Sequence, residues 1–190
     1  MIQKLTHQDI DKAVKLYRRE LPGLLAELGT GFLKKFYKVL LSLPDCWVFV
    51  EKEDEQILGL TSGILSVGGL YKTIFLRDIL GFTSIFLGIF ITRPVLLIKI
   101  IQMMLYPGFK SDIPELLTIV VDPRYRRKGM GRKLFMKIVA EFKKKGVKEF
   151  RISVYDYLPS YGFYQKIGCQ KKTSFYIGRQ KINYYLYKIK

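Results

Sequence analysis

The stretch of this chain whose residue types most clearly suggest chemistry is Arg124-Tyr125-Arg126-Arg127-Lys128-Gly129-Met130-Gly131-Arg132-Lys133. Six of its side chains are basic, and its two glycines stand one residue apart. Glycine accepts the turned backbone that aims consecutive amide N–H groups at one point, and a helix starting there adds its positive N-terminal end. The pattern therefore predicts a cradle for an anionic group such as a phosphate. The plainer alternative is a basic loop with helix-start glycines. It is neither G-x-G-x-x-G nor a Walker loop, because Gly131 is not followed by Lys-Ser or Lys-Thr.

Other chemistries have little to work with. The two cysteines, Cys46 and Cys169, are too few for a disulfide framework and lack metal-spaced companions, so both are expected in the core. A single histidine, His7, excludes His-based zinc sites and any Ser/His/Asp triad that does not use it. No metal site is expected.

The cradle needs a strand before it and a helix after it. Leu116 to Val121 is a continuous apolar, β-branched run that fits a central buried strand, closed by Asp122-Pro123. Gly131 to Lys145 is amphipathic, with Leu134, Phe135, Ile138, Val139 and Phe142 on one face. Gly146 suits its C-terminal cap, and Lys143, Lys144 and Lys145 suit the helix dipole. A strand from Val147 to Tyr155, a helix after Pro159, and strands around Thr173–Ile177 and Ile182–Tyr187 follow.

Upstream, Ile2 to Leu5 reads as a short strand, and Thr6 with Asp9 as a capping-box-like helix start. Ile10, Ala13, Val14, Leu16 and Tyr17 keep helical spacing. A second amphipathic helix after Pro22-Gly23 runs through Phe32, Phe36, Val39 and Leu40 and ends at Pro44. Cys46 to Glu51 and Gln56 to Val67 form a hairpin about the turn Lys52-Glu53-Asp54-Glu55, with Gly59 and Gly63 as candidate bulge positions.

Residues 70–110 interrupt this rhythm as a hydrophobic, helical insertion. Ile79 to Thr92 is uncharged, and Pro94 to Met104 is apolar except for Lys99 and Gln102. A spanning helix needs roughly 20 apolar residues, and Arg93-Pro94 comes too early for one. Two helices joined near Arg93-Pro94 are predicted. Three placements stay open for 73–106: burial in the domain or a dimer, a peripheral membrane surface, or an acyl-chain pocket.

The 190 residues hold 33 Lys or Arg and 16 Asp or Glu, a net charge of +17. With 49% apolar residues, the chain is not intrinsically disordered. Residues 1–110 carry 14 basic and 10 acidic side chains, whereas residues 111–190 carry 19 and 6. The second half thus favours an anionic partner: nucleic acid, a phosphate-bearing cofactor or a membrane surface. The first nine residues lack an apolar signal-peptide core, which predicts a cytoplasmic protein. With no repeat and no linker, residues 1–190 read as a single α/β domain.

Arg126-Arg127-Lys128-Gly129-Met130-Gly131 resembles the Q/R-x-x-G-x-G/A signature of the GCN5-related N-acetyltransferase (GNAT) family, with Asp122-Pro123 before it and a basic helix after it. Tyr161-Gly162-Phe163-Tyr164-Gln165-Lys166-Ile167-Gly168-Cys169 resembles the family's late motif, and the first half is similar in its order of elements. The resemblance spans most of the chain outside 70–110. It implies an α+β fold with a central mixed, mostly antiparallel sheet flanked by helices. It also implies acetyl-CoA, or a longer acyl-CoA, as cofactor. The pyrophosphate would be held at the signature beginning with Arg126, by the amides of Arg127, Lys128, Gly129, Met130, Gly131 and Arg132. The pantetheine arm would lie along Ile119, Val120 and Val121. Tyr157 stands where an Asn commonly contacts that arm, and Cys169 replaces the usual Phe.

The same resemblance gives two catalytic candidates. Tyr164 falls on the tyrosine that protonates the departing thiolate, and a phenol with a pKa of about 10 is protonated at neutral pH. A core aromatic is its structural alternative. Glu115 lies eleven positions before Arg126, as does a strand glutamate serving as base in the histone-modifying branch. Desolvation beside an apolar strand would raise its pKa, while the alternative is a carboxylate paired to a nearby Lys.

The expected activity is acyl transfer to a primary amine by direct attack, without a covalent enzyme intermediate. The expected acceptor is a small molecule, an anionic amino-sugar nucleotide or a lipid-like amine, and not nucleic acid. Two other classes compete: a basic nucleic-acid-binding module, against which no aromatic–basic motif appears, and a membrane-surface protein that keeps the fold without catalysis.

Overall fold

The computed structural model describes residues 1–105, 112–158 and 160–190. Tyr106 to Ser111 and Pro159 lie outside the described residues, including the end of the predicted hydrophobic segment and the start of the predicted late helix. The apolar runs become strands β1 (Ile2–Lys4), β2 (Cys46–Glu53), β3 (Gln56–Ile64), β4 (Glu115–Val121), β5 (Glu149–Tyr155), β6 (Gln170–Ile177) and β7 (Gln180–Lys188). They form one sheet in the order β1-β2-β3-β4-β5-β7-β6. Every neighbouring pair is antiparallel except β4–β5.

The helices are α1 (Ile10–Glu20), α2 (Leu24–Glu27), α3 (Gly29–Ser42), α4 (Leu70–Arg77), α5 (Ile79–Thr92), α6 (Pro94–Leu105), α7 (Met130–Lys144) and α8 (Tyr161–Lys166). They divide the core in two. Residues of α1 to α6 build one cluster around Leu33, Phe36, Tyr37 and Leu60. Phe135, Ile138, Val139 and Phe142 of the predicted α7 face join Phe150, Ile152 and Tyr185 in the other.

Several local expectations change. Thr6 and Asp9 do not form the reciprocal backbone cap; the Thr6 hydroxyl donates to the Asp9 carboxylate at 3.0 Å. Asp9 is drawn away by Lys52, which donates to its other oxygen at 3.0 Å. The predicted helix after Pro22-Gly23 is two helices, because Gly29 turns to a φ of +93°. The segment from residue 70 forms three helices rather than two, with the expected break at Arg93.

The two strand glycines of β3 do what their positions suggested and more. Pairing with β4 slips between Ser62 and Gly63, a bulge. A Cβ at Gly59 would come within 2.7 Å of Leu134 Cδ1, and one at Gly63 within 2.9 Å of Ile138 Cγ2. Their missing side chains let α7 lie directly on β3, which holds the start of α7 against the end of β4.

Candidate active site at the parting of two strands

β4 is paired along its length on one edge and barely paired on the other. Toward β3 it is in register from Glu115 to Val121. Toward β5 only Glu115↔Arg151 and Leu116↔Ile152 pair among the described residues. Beyond them the strands part, opening a cleft of about 860 Å³ lined by Leu117–Val121 on one side and Ser153–Tyr155 on the other.

The orientation of the β4 backbone follows from one bond. Asp122 N–H donates to Leu58 C=O at 2.8 Å. With a period of two, Val120 also turns its N–H and C=O to β3, leaving those of Ile119 and Val121 on the cleft side. The Val121 carbonyl accepts from Arg126 Nε at 2.9 Å. Ile119 thus offers an extended peptide edge to whatever fills the cleft.

That edge runs into the glycine loop. Arg127 and Gly129 have φ of +62° and +80°, and α7 starts immediately after. A non-glycine residue at positive φ stores strain, and the turned backbone aims amides at the cleft end. The first-turn N–H groups of α7 at Met130, Gly131 and Arg132 lack intrahelical partners by geometry. Arg126, Arg127, Gly129, Gly131 and Arg132 line the cleft, whereas Lys128 and Met130 do not. Lys128 instead stands 5.5 Å over the Tyr125 ring.

A carboxylate–guanidinium network fixes this loop to α1. Asp122 is buried and accepts from Arg124 Nη2 at 2.9 Å and from Arg19 Nη2 at 2.7 Å. The guanidinium of Arg124, foremost, holds the Asp122 carboxyl far below the usual carboxylate range. Glu20 pairs with both Arg19 and Arg126, each at 2.6 Å. Glu20 and Arg19 were not singled out in the sequence, and Asp122 was named there only as the strand's end beside Pro123; acids at a helix end and a strand end look like ordinary caps until the fold joins them.

Glu115 sits at the vertex where the strands part, on the cleft wall. Its partner is Arg151, not a lysine, with Arg151 Nε donating to Glu115 Oε2 at 2.6 Å. Both side chains are buried. Burial raises the Glu115 carboxyl above its ordinary value, while Arg151 and the Ser153 hydroxyl pull it back in part. Arg151, a cation in the apolar run of β5, was the overlooked signal for this pair.

Tyr164 also lines the cleft and is buried, with its ring stacked on Tyr185 at 5.6 Å between centroids. Burial lifts its phenol well above the ordinary range, so it stays protonated at any physiological pH. It is both the core aromatic and the cleft-lining hydroxyl. Tyr157 is half exposed, donates to Pro22 C=O at 3.3 Å and is not among the cleft-lining residues; its neighbours Tyr155 and Leu158 are. Cys46 and Cys169 have thiols pushed up to about 12 by burial, so both are protonated at neutral pH. No group of metal-ligating side chains forms among the described residues.

One part of the cleft wall is apolar and aromatic. Tyr17, Leu21, Leu24, Phe36, Val67 and Tyr71 line it. Tyr155 spans to this wall, with its hydroxyl accepting from Leu24 N–H at 3.1 Å.

A parted central strand pair leading into an amide loop is a fold-level feature, and comparison with known proteins identifies the family of the fold. The model of the Acetyltransferase (GNAT) family matches residues 10–169. The chain belongs to this family of acetyltransferases. Among solved structures, this GNAT chain is similar to an N-acetyltransferase from Staphylococcus aureus Mu50, at 15% identity and a TM-score of 0.65, covering 100% of this chain and 98% of that one. It is similar to the ribosomal-protein-S18-alanine N-acetyltransferase from Escherichia coli, at 16% identity and a TM-score of 0.60, covering 100% and 93%. It is similar also to the PaiA N-acetyltransferase of Thermoplasma acidophilum in complex with coenzyme A, at 17% identity and a TM-score of 0.58, covering 98% of each. No curated protein matches the chain in sequence. The mixed, mostly antiparallel sheet flanked by helices is the fold these structures share.

Proposed function

We propose that this GNAT acetyltransferase moves an acetyl group, or a longer acyl group, from acyl-CoA to a primary amine carried on an apolar or aromatic body. The observation that carries the reading is the free Ile119 edge of β4 running into the Arg127–Arg132 amide loop. An arm containing amides can hydrogen-bond along that edge as a further strand would, and a pyrophosphate suits turned amides at a helix N-terminus flanked by Arg126, Arg127 and Arg132. Bound there, acyl-CoA would supply an activated thioester.

Only an unprotonated amine attacks a thioester, so a proton acceptor is needed. Two carboxylates line the cleft. Glu20 is held by two guanidiniums, whereas Glu115 is held by one and is raised by burial. Glu115 is therefore the better base, acting through its side chain at the vertex. Tyr164 Oη supplies a proton to hydrogen-bond a sulfur anion leaving along the same wall. The reaction proceeds by direct attack, consistent with cysteines that stay protonated.

The acceptor reading rests on the apolar part of the wall. Tyr17, Leu21, Leu24, Phe36 and Tyr71 offer apolar surface, which suits a lipid-like or aromatic amine better than a polyamine. The net charge of +17 supports a second reading, an anionic acceptor such as an amino-sugar nucleotide, drawn in by the field. Thiol release from acetyl-CoA, measured over long-chain amines, polyamines and amino-sugar nucleotides, separates these. The expected order places long-chain amines first, and faster turnover of either other class overturns the apolar acceptor. The kcat/KM profile for the best amine should rise with pH through a midpoint above the ordinary glutamate value. Glu115→Gln should lower that limb, and an unchanged profile removes Glu115 as base.

A further inference from the structure

The helices α4 to α6 present an apolar surface that nothing among the described residues covers. On α5, Leu80, Leu87, Phe90 and Ile91 recur at helical spacing and are 85%, 58%, 62% and 72% exposed, while Phe82 and Ile89 on the other side are buried. On α6, Val95, Ile98 and Ile101 continue the surface, and Leu76 and Ile79 extend it to the end of α4. Exposed apolar surface of this extent marks a docking site.

Charge decides the occupant. Residues 70–105 contain Lys72, Arg77, Arg93 and Lys99 but one acid, Asp78, which is taken by Lys35. The chain as a whole carries +17. A second copy would bring an equally cationic body against a face with no free carboxylate to offset it. An anionic bilayer supplies acidic headgroups to Lys72, Arg77 and Arg93, Lys99 being paired with Glu27, and an acyl region to the leucines, isoleucines and Phe90. Length favours lying on the bilayer over crossing it. The 14 residues of α5 span about 21 Å against a hydrocarbon core of about 30 Å. No single helix among the described residues is long and apolar enough to cross a membrane, and the α4–α5 pair is bent by 103°.

We infer that α4–α6 dock this enzyme peripherally on an anionic lipid surface. The location serves the cleft. Lys99 of α6 pairs with Glu27 of α2 at 2.7 Å, and Gln102 accepts from Gly178 N–H, in the β6–β7 turn, at 2.7 Å. Leu24 and Leu25 of α2, with Ile177 of β6, line the cleft. Docking through α4–α6 therefore brings the apolar end of the cleft beside the lipid surface, where an amine on an apolar body would be found. Membrane docking itself does not depend on that acceptor, because it is read without turnover.

The test is co-sedimentation of the full chain with phosphatidylcholine vesicles, with and without phosphatidylglycerol, without acyl-CoA or amine. Sedimentation with the anionic vesicles, weakened by salt, is expected. The triple variant Leu80→Glu/Phe90→Glu/Ile91→Glu should reduce the bound fraction by about tenfold or more while keeping the far-UV spectrum and affinity for CoA. Should that variant fold poorly, the single Leu80→Glu change at the most exposed of these positions gives the same readout. Lys72→Gln/Arg77→Gln should weaken binding to anionic vesicles alone. Equal binding to both vesicle types, or binding unchanged by the glutamate substitutions, overturns the inference. So does a dimer in sedimentation velocity that the triple variant abolishes without any vesicle binding, or membrane association that resists alkaline carbonate.

Discussion

The two edges of β4 belong to one strand of seven residues, yet one builds stability and the other builds the site. On the β3 edge, pairing runs from Glu115 to Val121 with one bulge, and two glycines let α7 press on it from above. On the β5 edge, pairing stops after Leu116, and the peptide groups of Ile119 and Val121 turn toward the cleft. A parallel neighbour can part from β4 because β5 is secured elsewhere, by seven register pairs with β7. The sheet thus stays continuous while one seam is left open. The vertex of that seam is closed by Glu115 and Arg151, the last charged pair before the strands separate.

Removing one member of that pair should cost most. Glu115→Ala leaves the buried Arg151 cation uncompensated, and urea denaturation should report a loss of about 3–5 kcal/mol. Glu115→Leu/Arg151→Met should recover most of it without activity, which separates the role of the pair in stability from its role at the vertex. The next effect contrasts neighbouring residues. Val120→Pro deletes an N–H given to β3 and should destabilise by about 3 kcal/mol or more in the same measurement.

Ile119→Pro deletes an N–H on the cleft side. It should cost less stability than Val120→Pro but weaken CoA binding by about tenfold, read by titration calorimetry. Equal stability losses at the two positions would break the distinction between the edges. The smallest effect concerns Asp122, whose carboxyl lies far below its ordinary range because Arg124 and Arg19 bind the ionised form. A depressed acid stabilises the fold fully above its unfolded pKa of about 4 and loses that contribution as pH falls below it. Asp122→Asn should therefore lower the melting temperature at neutral pH, with the difference shrinking as pH drops below about 4.

The comparison also shows what kind of information each edge carries. Leu116 to Val121 and the amphipathic α7 were legible as elements, because apolar period and turn chemistry are local properties. The turned loop was legible for the same reason: Gly129 and the cluster of cations announce a turned backbone next to a helix start. Its finer distribution was not. Lys128 turns to Tyr125 of its own loop, and Tyr157 donates to Pro22, a cleft-wall residue 135 positions away that only the fold brings beside it. Arg151 and Glu20 were invisible as site residues because their partners lie 36 and 106 positions away.

The hydrophobic helices differ again. Their composition predicted helices and the break at Arg93, but not which faces would be left uncovered. Leu80 and Phe82 are chemically alike in the sequence, yet one is 85% exposed and the other 1%. Phe82 is taken up by Phe32 of α3, their rings 5.5 Å apart between centroids, a contact that Leu80 does not share.

By itself the sequence determined the order of strands and helices, the amide loop with its cations, and the absence of ligands for histidine-based metal chemistry. These follow from residue type and short-range spacing, which act within a few residues of chain. The tertiary structure decided that β4 parts from β5, that Glu115 meets Arg151 rather than a lysine, and that an apolar face of α4–α6 stays in the open. Those outcomes depend on which distant segments arrive beside each residue, and burial, pairing and charge compensation exist only once they have arrived.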